Sequence, residues 1–155
     1  MDLLLRVLLA AVVLFILGVI AWRDYKTEKI PDTLNLALLV CGAVAIIVNP
    51  ETSLEERLIG FVAVSAPLLL VGLARRGSLG GGDIKLMAAA GFLLGWKAVI
   101  VAAGIGFLLA AVYAIYLMLV KKEKRSKHFP FGPALCIGIA IAYFFSPYII
   151  GFLLA

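Results

Sequence analysis

Apolar residues dominate this chain in long runs that short polar segments interrupt. The first run, Leu3–Trp22, contains a single charged residue, Arg6. A helix that crosses the hydrocarbon core of a bilayer needs about 20 mostly apolar residues, and shorter helices occur inside bundles. The pattern predicts six such helices: Leu3–Trp22, Leu34–Val48, Leu58–Ala74, Ile84–Trp96, Ala98–Val120 and Phe131–Leu154. We therefore expect an all-α, polytopic membrane helix bundle with about six transmembrane helices, forming a single domain over residues 1–155.

The composition agrees with a membrane protein and argues against other classes. The chain is 65% hydrophobic and 15% charged, whereas a soluble domain is about half apolar and a quarter charged. The net charge of +5 comes from basic residues clustered between the apolar runs. Such clusters suit a membrane surface, and we expect the lipid bilayer rather than nucleic acid as a partner. Cys41, Cys136 and His128 show no spacing typical of a zinc or iron–sulfur site, so we expect no metal and no cofactor.

The first apolar run differs from a cleaved signal peptide. It lacks a basic segment before it, it is longer than the apolar core of a typical signal peptide, and no convincing small-residue cleavage site precedes Arg23. We expect this run to be a helix of the mature protein.

The distribution of lysine and arginine predicts the orientation in the membrane. The first connection carries Arg23, Lys26 and Lys29, and the third carries Arg75, Arg76 and Lys85. The fifth carries Lys121, Lys122, Lys124, Arg125 and Lys127. The opposite connections contain only Arg57 and Lys97, and the N-terminal end adds Arg6. Because short cytoplasmic loops carry an excess of Lys and Arg, we expect connections one, three and five to be cytoplasmic. The chain would then be a multi-pass plasma-membrane protein with both termini outside.

Two aspartates fall on the side predicted to be cytoplasmic. Asp24 follows the first apolar run and Asp83 precedes the fourth. Taken singly, Asp83 could be an ordinary helix N-cap and Asp24 a solvated interfacial charge. Taken together, two carboxyl groups can split an amide, because one can activate water while the other protonates the departing group. We therefore predict a catalytic pair at Asp24 and Asp83.

Three glycines, Gly80, Gly81 and Gly82, lead directly into Asp83. Glycine permits φ > 0 and the close approach of another backbone, which is more freedom than a helix cap requires. We predict that this loop admits an extended substrate peptide beside the carboxylate. Lys85 follows closely and could bind a carboxylate of the substrate or stabilise the ionised form of Asp83.

The segment between the first two helices contains a further acid. Asp32 follows Pro31, and we predict that Asp32 caps the second helix while Pro31 sets its entry.

Three segments together resemble a known family. They are DYKTEKIPD at 24–32, GGGDIK at 80–85 and FPFGPAL at 129–135. In this order the chain is similar to the type IV prepilin peptidases, a group of GxGD-type membrane aspartyl proteases, and the resemblance spans Asp24 to Pro133. It implies that Asp24 and Asp83 are catalytic. It also implies cleavage of a short basic leader from prepilin-like, preflagellin-like or pseudopilin substrates at the cytoplasmic membrane face.

The resemblance is closest to the short form of this family. Larger members carry an N-terminal cytoplasmic segment, often with paired Cys-x-x-Cys motifs, that is associated with N-methylation of the cleaved pilin. Only Met1 and Asp2 precede the first helix here, so cleavage without methyl transfer is the expectation.

Two other functions compete with a peptidase. A small transporter or channel component could use Asp24 and Asp83 as proton or cation sites, although such sites are expected at mid-bilayer depth. A non-catalytic assembly factor would hold pilin helices and would survive the loss of either acid. For the peptidase, the helix dipoles lead to the hypothesis that Asp83 begins as the base and Asp24 as the acid.

Overall fold

The structure, a computed structural model, describes residues 2–74, 80–119 and 131–154. These residues form helices α1 (Asp2–Thr27), α2 (Asp32–Val48), α3 (Leu54–Ala63), α4 (Ser65–Ala74), α5 (Gly81–Leu94), α6 (Trp96–Leu119) and α7 (Gly132–Leu154). The described residues contain no strand, and the prediction of an all-α helix bundle is confirmed. The predicted third helix is interrupted at Val64, where α3 gives way to α4.

Four stretches are long and apolar enough to cross a membrane: Leu3–Thr27, Leu54–Ala74, Trp96–Leu119 and Gly132–Phe152. The remaining two helices are shorter. Helix α2 has 17 residues and α5 has 14, and 14 residues rise only about 21 Å against a hydrocarbon core of about 30 Å. The chain is therefore a multi-pass membrane protein in which two short helices pack among long ones.

A buried arginine binds the C-terminal ends of both short helices. Arg57, on α3, is 1% exposed, and its guanidinium donates hydrogen bonds to the carbonyls of Ala45 and Asn49 (both 3.0 Å) and of Leu93 (2.6 Å) and Phe92 (3.3 Å). The last carbonyls of a helix lack partners within the helix itself. Arg57 supplies donors to such carbonyls at Asn49, Phe92 and Leu93 and a second donor to that of Ala45, which also accepts the Asn49 N–H. It is therefore a buried structural residue rather than the loop charge expected from the sequence.

Glycines allow the helices to approach closely around α5 and α7. A Cβ on Gly91 of α5 would overlap the backbone of Gly60 on α3, and a Cβ on Gly138 of α7 would lie 2.8 Å from the backbone nitrogen of Gly106 on α6. Small residues at such crossings are typical of membrane helix pairs. Close packing at these crossings encloses α5. Five successive residues of this helix are buried: Leu86, Met87, Ala88, Ala89 and Ala90.

Helix α1 extends farther than the hydropathy pattern indicates. It ends at Thr27, because Glu28 adopts a φ of 53° and its N–H donates to the carbonyl of Asp24 at 2.8 Å. A residue in the left-handed region is a common helix stop. Asp24 therefore lies in the last turn of α1 rather than beyond it.

Candidate active site

Asp24 is a buried acid that is held by a distant helix. Its residue is 6% exposed, and its Oδ2 accepts a hydrogen bond from the backbone N–H of Gly132 at 2.9 Å. Gly132 is the first residue of α7, so the carboxylate satisfies one of the unpaired N–H groups at that helix start. The alternative in which Asp24 is a solvated surface charge is wrong.

The contact with Asp24 requires glycine at position 132. A Cβ on Gly132 would lie 2.6 Å from Oδ2 and 2.8 Å from Cγ of Asp24, which is far below normal contact. The predicted motif around this glycine thus contributes a backbone donor with no side chain. Pro130, in the same FPFGPAL segment, lies outside the described residues.

Asp83 is the second buried acid, and it lies in the first turn of α5. The residue is 8% exposed, and its Oδ1 is buried without a hydrogen-bond partner among the residues that the structure describes. The N-cap of α5 is Gly80, so Asp83 is not the cap. The carboxyl groups of Asp83 and Asp24 interact electrostatically, and the fold therefore brings together the two acids that the sequence selected.

The glycines before Asp83 act through packing and not through unusual dihedral angles. Gly80 has φ −67°, and in the described part of the chain Gly95 is the only glycine with positive φ. The expectation of φ > 0 at 80–82 is wrong. A Cβ on Gly82 would lie 2.9 Å from Cβ of Ile30, so the close approach expected here is made by the chain itself. Gly81 has open space around it.

Lys85 is engaged with an acid other than Asp83. Its Nζ lies 2.8 Å from both carboxylate oxygens of Asp32, and the two side chains are 57% and 72% exposed. The N-cap of α2 is Pro31 and no side chain caps this helix, so the prediction that Asp32 is a cap is wrong. An ion pair this exposed contributes little to stability; its effect is to link the starts of α2 and α5.

Two residues near the acids were missed by sequence reasoning. Asn35, on α2, is 5% exposed and donates from Nδ2 to the carbonyl of Gly82 at 3.4 Å. Cys136, on α7, is 4% exposed and interacts electrostatically with Asp24 and Asp83. An amide in the first turn of an otherwise apolar helix is the one signal that could have identified Asn35.

The arrangement suits hydrolysis by a carboxyl pair. Asp24 accepts a backbone N–H, which stabilises its ionised form, while Asp83 has a buried oxygen with no donor among the residues that the structure describes. Two neighbouring carboxyl groups in unlike environments can divide the roles of base and acid. Within residues 2–74, 80–119 and 131–154, no group of three or more His, Cys, Asp or Glu side chains is placed to hold a metal ion.

Comparison with known proteins points to one family. The model of the type IV leader peptidase family matches residues 11–115. The chain is 32% identical over 143 residues to a prepilin leader peptidase/N-methyltransferase of Bacillus subtilis, covering 92% of this chain and 58% of that protein. It is 34% identical over 143 residues to a protein of the same name from Aeromonas salmonicida, covering 86% and 48%. For the Legionella pneumophila protein of that name the identity is 29% over 151 residues, covering 94% and 53%.

The matched proteins are longer than this chain, which spans about half the length of these curated relatives. No solved structure matches the chain. The family and the relatives carry peptidase names, so the transporter alternative is not supported.

Proposed function

The chain belongs to the type IV leader peptidase family, and on that premise we propose that it is a membrane aspartyl endopeptidase. Its substrates are prepilin-like, preflagellin-like or pseudopilin proteins, from which it removes a short basic leader. The catalytic residues are Asp24 and Asp83, within a single peptidase domain over residues 1–155. The observation that carries this proposal is the pairing of two buried, interacting carboxyl groups, one of which accepts a hydrogen bond from the first residue of α7.

The hydrogen bonds support a division of labour between the acids. Asp24 accepts the Gly132 N–H and stays ionised, since a charged acceptor gains most from such a bond. Asp83 carries the proton, because its buried Oδ1 has no donor in the described structure. This starting state reverses the hypothesis based on helix dipoles, because a direct N–H contact outweighs the dipole of α1.

The reaction then proceeds in two steps. A water molecule attacks the carbonyl carbon of the scissile bond while Asp24 takes its proton, and Asp83 gives its own proton to the carbonyl oxygen. In the second step the C–N bond breaks. The proton on Asp24 passes to the departing amine, and Asp83 recovers a proton from the hydroxyl of the intermediate. Atoms and charges balance, and both acids return to their starting states.

The active site faces the cytoplasm in this proposal, and both termini lie outside. On the site's side of the bundle are Arg23, Lys26, Lys29 and Lys85. On the other side Arg57 is buried against carbonyls, and Arg6 pairs with Glu51 at 2.9 Å. The burial of Arg57 sharpens the charge asymmetry that supports this orientation. Residues Lys121–His128, which the sequence also assigned to the cytoplasm, lie outside the described residues.

The direct test is cleavage by the purified protein. We expect the wild type in lipid nanodiscs to shorten a prepilin-like substrate, detected by gel mobility and by mass spectrometry of both products. Asp24→Asn and Asp83→Asn should each lose at least about 100-fold in rate, the lower range of a general acid or base contribution. Glu51→Gln, at an exposed position on the opposite side, is the control and should cleave normally.

Two outcomes would overturn the proposal. Full activity in either aspartate variant would remove the carboxyl pair from the reaction. Binding of substrate without any cleavage by the wild type would instead support an assembly factor.

A further inference from the structure

A groove opens between α2 and α5 beside the candidate active site. Its volume is about 450 Å³. The apolar part of its lining consists of Leu36, Leu39, Phe61, Ala88 and Ala89. Its polar end is formed by the exposed Asp32–Lys85 ion pair, at the starts of the two helices. The groove therefore runs from the end of the bundle that carries Asp83 along the apolar residues of α2 and α5.

Asn35 joins this groove to the active site. It lines the groove, and its Nδ2 donates to the carbonyl of Gly82, the residue before Asp83. The residue is 5% exposed, and its Oδ1 is buried with no hydrogen-bond partner among the described residues. A buried acceptor without a donor is costly and uncommon in native proteins, so this oxygen is suited to accept a hydrogen bond from a ligand.

We propose that the groove binds the apolar stretch of the substrate beside the scissile bond, and that Asn35 Oδ1 accepts a backbone N–H from it. The inference rests on the proposed peptidase function and names the substrate-binding element of that same site. A peptide supplies both an N–H for Asn35 and apolar side chains for the groove. A lipid acyl chain supplies only the apolar part and leaves Oδ1 without a donor.

Binding at Asn35 also positions the substrate for cleavage. The Asn35 amide contacts the backbone of Gly82, and Asp83 follows directly in the chain. A peptide held by Asn35 therefore lies next to Gly82, the residue that precedes Asp83, and Asp83 is the acid proposed to protonate the peptide's carbonyl. Such fixed placement of a reacting group is a main source of enzymatic rate.

The first experiment removes the proposed hydrogen bond from each partner in turn. A series of synthetic peptides contains the basic leader and the apolar segment, with a single backbone N-methyl group at successive positions. With the wild type, N-methylation at one position of the peptide should raise KM about three- to tenfold, the range expected for the loss of one neutral hydrogen bond. With Asn35→Ala the same N-methyl group should add no further penalty, because the acceptor is already absent.

A purely structural role for Asn35 predicts a different result. The N-methyl penalties would then be equal in the wild type and in Asn35→Ala, and the proposed contact would be wrong.

The second experiment leaves Asn35 intact and so does not depend on how its variants fold. A benzoylphenylalanine crosslinker replaces Leu36, which lines the groove and is 60% exposed, in an Asp83→Asn background. The matched control replaces Leu70 on α4, which is 67% exposed and lies outside the groove. Irradiation with the unmodified peptide should crosslink its apolar segment from position 36 and not from position 70.

The outcomes separate this inference from the proposed function. If the wild type cleaves the peptide but position 36 captures only lipid, or captures no more peptide than position 70, the groove proposal fails and the peptidase stands. If the wild type cleaves no peptide of this class, both fail.

Discussion

The carboxylate of Asp24 accepts the backbone N–H of Gly132 at 2.9 Å, across 108 residues of sequence. This bond ties the last turn of α1 to the first turn of α7. It also fixes the orientation of an acid that would otherwise be free to turn toward water. The geometry of the proposed catalytic pair therefore depends on a residue that has no functional group of its own.

Replacing Gly132 with alanine should abolish the proposed cleavage while leaving the protein folded. The new Cβ would lie 2.6 Å from Asp24 Oδ2, so the carboxylate must move. A displacement of this size in a catalytic group can cost about 100-fold in rate. Cleavage kinetics and thermal unfolding of Gly132→Ala would be compared with Gly151→Ala. At this control position in the same helix, an added Cβ would meet no atom of another described segment within 4 Å. Normal cleavage by Gly132→Ala would show that the contact is not needed.

The protonation of the pair can be observed directly by infrared difference spectroscopy at neutral pH. We expect Asp83→Asn to remove the band of a protonated carboxyl group, because Asp83 has a buried oxygen with no donor in the described part of the chain. Asp24→Asn should instead remove a carboxylate band, because Asp24 accepts a backbone N–H. Loss of the protonated band in Asp24→Asn rather than in Asp83→Asn would restore the division based on helix dipoles.

A side chain at position 82 should disturb the site through Ile30. A Cβ on Gly82 would lie 2.9 Å from Cβ of Ile30, so Gly82→Ala and the bulkier Gly82→Val should shift the start of α5, with Val worse than Ala. Cleavage should fall by at least about 10-fold for Gly82→Val, since Asp83 moves with the helix. The control is Gly18→Ala, because a Cβ added there would meet no atom of another described segment within 4 Å. If Gly82→Val and Gly18→Ala cleave at equal rates, the packing of Gly82 on Ile30 is not needed for cleavage.

Arg57 should contribute to the free energy of unfolding, and a lysine at this position should not restore that contribution. Its guanidinium binds carbonyls at the ends of α2 and α5, and each buried carbonyl left without a donor costs about 1–3 kcal/mol. We expect Arg57→Lys to be several kcal/mol less stable in detergent, since an ammonium lacks the planar fork of donors. Arg6→Lys, at an exposed pair, should change stability by about 1 kcal/mol or less. Similar unfolding temperatures for the two variants would contradict this account.

The orientation of the bundle can be tested by labelling single cysteines in intact cells. With Cys41 and Cys136 replaced by alanine, a cysteine at Ser53 should react with an impermeant maleimide, and one at Lys29 should react only after permeabilisation. Both positions are exposed, so the difference reports the side of the membrane. The opposite pattern would place the acids outside the cell and contradict the proposed cytoplasmic cleavage.

The sequence alone determined the class of the protein and selected the two acids that the fold brings together. Hydropathy and charge are properties of short segments, so the apolar runs and the basic connections could be read without knowing which helices touch. Asp24 and Asp83 were selected because they fall on the same predicted side of the membrane, three glycines precede Asp83, and both match the motifs of the resembling family. The ends of those helices were less certain: α1 continues to Thr27 and α5 begins at Gly81, since local turns decide where a helix stops.

Only the tertiary structure decided which partners the polar residues have. Arg57 was indistinguishable from a loop charge until α2, α3 and α5 packed around it. Lys85 was expected to act on a substrate carboxylate or on Asp83, whereas Asp32 binds it. The contacts of Asp24 with Gly132 and of Asn35 with Gly82 join residues 108 and 47 positions apart. Burial and hydrogen bonding are relations between distant segments, and in an apolar bundle each polar group must find its partner wherever helix packing brings one within reach.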